Sequence, residues 1–91
     1  MKYRSRTDIT IMILEAVRAG ATKTKIMYQA YLSYGQVGEY LKFLQQNGLI
    51  RHDEEKQIYR ITEKGFKFLN ISSELNDMIA MSNTKYSFNR W

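Results

Sequence analysis

Helical periodicity in the first half, a glycine-closed pair of helices with a three-residue connector, and two short strands around a charged turn predict an α+β fold. The expected order is three helices, a two-stranded β wing and a C-terminal helix. That order is a winged helix-turn-helix. The pair of helices lies in Thr22–Ile50, where Ile26, Met27 and Ala30 recur at helical spacing, as do Val37, Tyr40, Leu41 and Leu44. Between them Tyr31-Leu32-Ser33 is too short for a long hairpin. Ser33 can cap the second helix of the pair by accepting from a first-turn N–H, and Asn47-Gly48 ends it.

Taken in order, Met1–Arg6 reads as a basic, flexible leader. Thr7 or Asp8 is the expected cap of a first helix with Ile9, Met12, Ile13, Ala16 and Val17 on one face. Its β-branched residues leave a strand reading of Ile9–Leu14 open, but the caps and length favour helix, with Gly20 as the stop. Thr22 or Thr24 caps the second helix, and the third runs from about Tyr34 to Gln46. Gly35 and Gly38 each weaken that helix by roughly 1 kcal/mol relative to alanine. Either a close neighbour within the domain or the approach of a phosphate accounts for them. Leu49–Arg51 and Gln57–Ile61 form the wing around Asp53-Glu54-Glu55-Lys56. Thr62 caps a last helix that fades near Met81, with Phe66 and Leu69 closing the core. Phe68, Ile71, Leu75, Met78 and Ile79 make a seam for a second copy or for the first helix. The resulting divisions are a leader (1–6), a winged domain (7–69), a helical extension for dimerisation (70–81) and an aromatic tail (82–91) holding Tyr86, Phe88 and Trp91.

The whole chain sets limits on function. Its 91 residues suit one small domain with one core. Without cysteine, and with His52 as its one histidine, it offers neither a disulfide framework nor a multi-histidine metal site. Asp53, Glu54 and Glu55 are clustered, but on a turn tip, where solvation is the simpler reading than acid–base catalysis. Ser33 and His52 lack an orienting third group, and Gly35-Gln36-Val37-Gly38 lacks the strand that phosphate-cradling loops require. No enzymatic activity and no cofactor are therefore expected. The longest apolar runs are too short to span a membrane, and a cytoplasmic location is the default.

Charge points elsewhere. The net charge is +5, and Met1–Arg51 holds eight basic residues against three acidic ones, while the other forty hold six of each. All the net charge travels with the helical half. That favours double-stranded DNA as partner. Lys23, Thr24 and Lys25 open the second helix, where unpaired N–H groups suit a phosphate. Tyr34, Gln36 and Lys42 project from the third helix opposite its apolar face; Gln36 suits an adenine edge and Lys42 a guanine or a phosphate. Ser33, Tyr34 and Tyr28 can offer hydroxyls to phosphate. Lys2, Arg4 and Arg6 form a candidate arm, and Arg51, Lys56 and Arg60 a basic flank on the wing. Each of these is ordinarily just a solvated polar residue, and Glu39 with the acidic tip opposes phosphate.

Three stretches also resemble a known family. They are Lys23-Thr24-Lys25-Ile26-Met27-Tyr28 with Leu32-Ser33-Tyr34, then Tyr40-Leu41-Lys42-Phe43-Leu44, then Tyr59-Arg60-Ile61-Thr62-Glu63-Lys64-Gly65. Together they resemble small archaeal winged-helix DNA-binding proteins, which are transcription-regulator-like or chromatin-associated. The resemblance implies DNA binding by a homodimer joined through the C-terminal helix. Members of that family use a long antiparallel coiled coil, whereas the last helix here reads as short. Transcriptional regulation is expected over bulk compaction, because the charge is moderate and a definite reading helix is present. An architectural chromatin role and a winged-helix protein-interaction module are the alternatives.

Overall fold

The structure, a computed structural model, describes residues 4–83, with side chains as far as residue 79. Lys2 and the tail residues Tyr86, Phe88 and Trp91 lie outside the described residues. The element order is α1 (Arg6–Ala16), α2 (Lys23–Gln29), α3 (Tyr34–Gln46), β1 (Ile50–Asp53), β2 (Ile58–Ile61) and α4 (Glu63–Asn83). β1 and β2 pair antiparallel, with Ile50 opposite Ile61 and Arg51 opposite Arg60. The predicted α+β winged helix-turn-helix is the observed one.

The core collects one face of each helix. Ile13, Leu14 and Val17 of the α1 segment meet Ile26, Ala30, Val37, Leu41 and Leu44, and Ile50 and Leu69 close it from the wing and α4. α1 starts earlier than the sequence suggests. Ser5, rather than Thr7 or Asp8, is its N-cap, and Ser5 and Asp8 bond reciprocally at 3.0 Å in a capping box. Arg4 to Arg6 are therefore part of the folded domain and not a flexible leader.

A short ladder that the periodicity did not reveal ties the α1–α2 connection to the wing. The Ala21 and Tyr59 backbones exchange hydrogen bonds of 3.0 and 2.8 Å. Gly20, at φ +89°, turns the chain into that bridge.

α2 and α3 end in the same way. In each, the N–H two residues past the cap returns to the carbonyl five residues back (Leu32 to Met27 at 3.0 Å, Leu49 to Leu44 at 2.9 Å). The residue just past the cap is left-handed in both: Gly48 at φ +73° after α3, but Tyr31 at φ +55° after α2. For an L-residue that conformation costs about 1–2 kcal/mol.

α4 departs from expectation in phase. It is a single helix of 21 residues, about 31 Å long, and ends two residues past the expected fade near Met81. Leu69 is buried as predicted, but Phe66 is exposed, with the Arg18 guanidinium 6.0 Å from its ring centre. Phe68, assigned to the outer seam, instead rests half-buried against the core. Two residues, about 200° around the helix, separate Phe66 from Phe68.

The start of α4 is fastened to the end of α3. The Thr62 hydroxyl donates to the Gly48 carbonyl at 2.6 Å and accepts from the Gly65 N–H at 3.1 Å. Thr62 N–H donates to Leu49 O at 3.1 Å, and Lys64 Nζ to Asn47 O at 2.8 Å. A Cβ on Gly65 would collide with the Leu49 carbonyl and with Ile61 Cγ1. Gly65→Ala should therefore destabilise the fold by about 1–3 kcal/mol in chemical denaturation; unchanged stability would show that this joint is not tightly packed.

Candidate nucleic-acid interface

The predicted contact residues divide into groups by where the fold places them. On α3, Val37, Leu41 and Leu44 are buried, which turns Tyr34, Gln36, Glu39 and Lys42 outward, all exposed. From α2, Lys23 reaches across so that its Nζ lies 4.1 Å from the Tyr34 ring centre, a cation–π contact. Gly38 lies beneath this crossing, where a Cβ would make an ordinary contact of 3.5 Å with Lys23 Nζ. Gly35 differs. A Cβ there would meet nothing within 4 Å, so crowding by the described part of the domain does not account for it. Lys23, Tyr34, Gly35, Gly38, Glu39 and Lys42 together line an open hollow on α3.

Two predicted contacts are engaged in capping. Ser33 Oγ accepts from Gln36 N–H at 3.2 Å, while Gln36 Oε1 accepts from Ser33 N–H at 2.9 Å. With its amide oxygen accepting from Ser33 N–H, the Gln36 side chain is oriented by the cap, so pairing with an adenine edge would compete with capping. Thr24 and Lys25 are exposed on the first turn of α2, which Thr22 caps by accepting from Lys25 N–H at 3.2 Å.

The two described arginines of the expected arm are pinned. Arg4 Nη1 donates to the Ala30 carbonyl and Nη2 to the Tyr31 carbonyl, the latter at 2.9 Å. The guanidinium therefore clamps the left-handed turn between α2 and α3. Arg6 lies in the first turn of α1 with its guanidinium 5.0 Å from the Phe43 ring centre, beside Glu39 and Tyr40. Neither contact was legible in the sequence, since each partner lies more than twenty residues away.

On the wing, Arg51 and Arg60 are cross-strand neighbours, opposite the face that carries Ile50 and the tilted His52 and Tyr59 rings, whose centres are 4.5 Å apart. Arg60 Nε is 3.6 Å from Asp53 Oδ2. The Lys56 backbone N–H holds the Asp53 carboxyl below its ordinary pKa; Arg60 and the Glu55 N–H lower it further, with desolvation opposing. Asp53 thus has its own partners, while Lys56 stands exposed on the tip. No group of acidic, histidine or cysteine side chains suited to a metal ion occurs among the described residues.

Three exposed tyrosines complete the surface: Tyr28 at 69%, Tyr31 at 77% and Tyr34 at 68% exposure. Tyr31 was read from sequence only as part of the connector. The available signal was a bulky aromatic where a turn calls for glycine or asparagine.

This geometry has counterparts among known proteins. Residues 3–80 match the winged helix-turn-helix family. The chain belongs to that family. It is 34% identical over 83 residues to an uncharacterised protein of the archaeon Methanocaldococcus jannaschii, covering 90% of this chain and 80% of that one. Its fold also matches the crystal structure of Sso10a-2, a DNA-binding protein from Sulfolobus solfataricus, with a TM-score of 0.72 at 25% identity, over 90% of this chain and 88% of the other. These two proteins come from archaea, as the resemblance led one to expect. No helix among the described residues is long and apolar enough to cross a membrane.

The double role of Gln36 can be separated. Gln36→Glu preserves a side-chain acceptor for the Ser33 N–H and removes the Nε2 donors. Thermal stability should hold, and so should the ranking of affinities among duplex sequences, since capping is the role the geometry gives it. A changed ranking at unchanged stability would assign base readout to Nε2.

Proposed function

We propose that the protein binds double-stranded DNA as a cytoplasmic homodimer and regulates transcription. The observation that carries this reading is the outward face of α3, where Tyr34, Lys42 and the crossing Lys23 surround an unobstructed Gly35. Glycine there lets a phosphate backbone approach more closely than alanine would. The likeness to a DNA-binding protein of Sulfolobus supports the same reading. Contact would extend through Thr24 and Lys25 on α2 and through Arg51, Arg60 and Lys56 on the wing. Ser33 and Gln36 would shape the start of α3, and Arg4 would hold its turn.

Dimerisation is supported by α4. Beyond Phe68, Ile71, Leu75, Met78 and Ile79 follow one another at helical spacing and are exposed in the single chain. A helix with such a row and polar residues such as Glu74 and Asp77 elsewhere suits a second copy. Leu75→Glu should give a monomer by light scattering, with the helical content of the winged domain retained. A persistent dimer would place the interface elsewhere.

Counterion release supplies the test of DNA binding. Affinity for a duplex should fall steeply with salt, and removing the Lys25 or Lys42 amine should lower the logarithmic slope by about 1 each. Gly35→Ala should leave folding intact or raise stability by up to about 1 kcal/mol while weakening duplex affinity. If no duplex binds at low salt, the DNA reading fails and the exposed row on α4 favours a protein-interaction module.

A further inference from the structure

α2 and α3 are closed by the same hydrogen-bond pattern, yet different residues occupy the left-handed position. After α3 it is Gly48, which takes φ +73° without steric cost. After α2 it is Tyr31 at φ +55°, a conformation that a bulky residue rarely adopts. The fold does not use the Tyr31 ring, because the residue is 77% exposed. What steadies the turn is backbone: the bonds from Leu32 N–H to Met27 O and from the Arg4 guanidinium to the Ala30 and Tyr31 carbonyls. Glycine would satisfy every one of them. A strained residue whose side chain serves no contact among the described residues points to something outside the fold.

The neighbours indicate its chemistry. Tyr28 and Tyr34 lie three residues to either side of Tyr31, one on α2 and one opening α3, and both are about as exposed. The Lys23 ammonium lies over the Tyr34 ring, and Lys25 is exposed on the same turn of α2. Among the described residues, the other tyrosines, Tyr40 and Tyr59, rest partly buried against the core. Exposed aromatic faces interleaved with cations are the device by which single strands are held, bases stacking on rings and phosphates meeting lysines. A duplex cannot use those faces, since each of its bases is already stacked on both sides. It can use only the hydroxyl edges.

We propose that Tyr28, Tyr31 and Tyr34, with Lys23 and Lys25, form a stacking platform for unpaired bases of a single-stranded nucleic acid. The tyrosine at position 31 is kept at the expense of the turn because its ring is the centre of that platform. This goes beyond duplex recognition and does not depend on it.

The test uses the full-length protein with labelled oligo-dT, oligo-rU and a duplex of equal length, read by fluorescence anisotropy beside thermal melting. The parent should bind at least one of the two single strands, and their ratio tells DNA from RNA. Tyr31→Gly should raise Tm by several degrees and weaken single-strand binding roughly tenfold, the loss of about one stacked base. Tyr31→Phe should bind the single strand like the parent, because the ring face is retained. The proposal is overturned if the parent binds neither single strand at low salt. It is equally overturned if Tyr31→Phe loses as much as Tyr31→Gly, which would assign the hydroxyl to a phosphate. A lower Tm for Tyr31→Gly would return the side chain to a role in the fold.

Discussion

The joint between the end of α3 and the start of α4 is the constraint on which the rest of the structure depends. Within a few residues, Asn47, Gly48 and Leu49 offer carbonyls that Lys64, Thr62 and the close approach of Gly65 take up. Carbonyls past a helix end are otherwise left to water, and here they become the surface on which α4 is seated. The consequence reaches both ends of the molecule. α3 carries the outward face with Lys42 and Tyr34, and α4 carries the exposed row from Ile71 onward. Because a backbone carbonyl and a glycine meet directly, the relative position of the two helices has little slack. A dimer formed on α4 would thereby set the spacing of two α3 helices, as paired half-sites demand.

The turn before α3 is built on the opposite principle. It has a strained residue where glycine would relax it, and a guanidinium from the far end of the chain to hold it. Stability has been given up at the α2–α3 turn and preserved at the α3–β1 turn. The two sites share a hydrogen-bond pattern, so the difference lies in the side chain at the left-handed position.

Much of this was legible in the sequence, for identifiable reasons. The bounds of α3, its Ser33 cap and its Gly48 stop depend on neighbours within four residues, and local chemistry decided them. The wing followed from two short β-prone runs around a charged turn. What escaped was non-local or a matter of phase. The Ala21–Tyr59 bridge is a single pair with no periodicity to announce it. Arg4 looked like a mobile cation because its acceptors are carbonyls 26 and 27 residues away. Phe66 and Phe68 exchanged roles because both are apolar, and only the docking angle of α4 decides which one turns inward. Gly35 and Gly65 look equivalent as letters, whereas a Cβ on the first meets open space and on the second a backbone carbonyl.

The same distinction changes how the charge should be read. The excess of five positive charges sits in the first 51 residues, but not all of its cations face outward without partners. Arg4 is held by carbonyls, Arg6 lies against Phe43, and Arg18 is 3.2 Å from Glu15 while it also covers Phe66. On the wing, Arg60 shares its charge with Asp53. Among the described residues, Lys25, Lys42, Arg51 and Lys56, with Lys67 on α4, remain exposed with no such contact, and Lys23 keeps its donors while resting on Tyr34. A guanidinium committed to carbonyls releases no counterion when DNA arrives. On the proposed reading, the electrostatic contribution to DNA binding would therefore rest on a handful of lysines and one arginine at the turn of α2, the side of α3 and the wing. Such a set is small enough that shape and aromatic contact must supply much of the remainder. In that light the exposed tyrosines beside those lysines are the residues with most left to contribute.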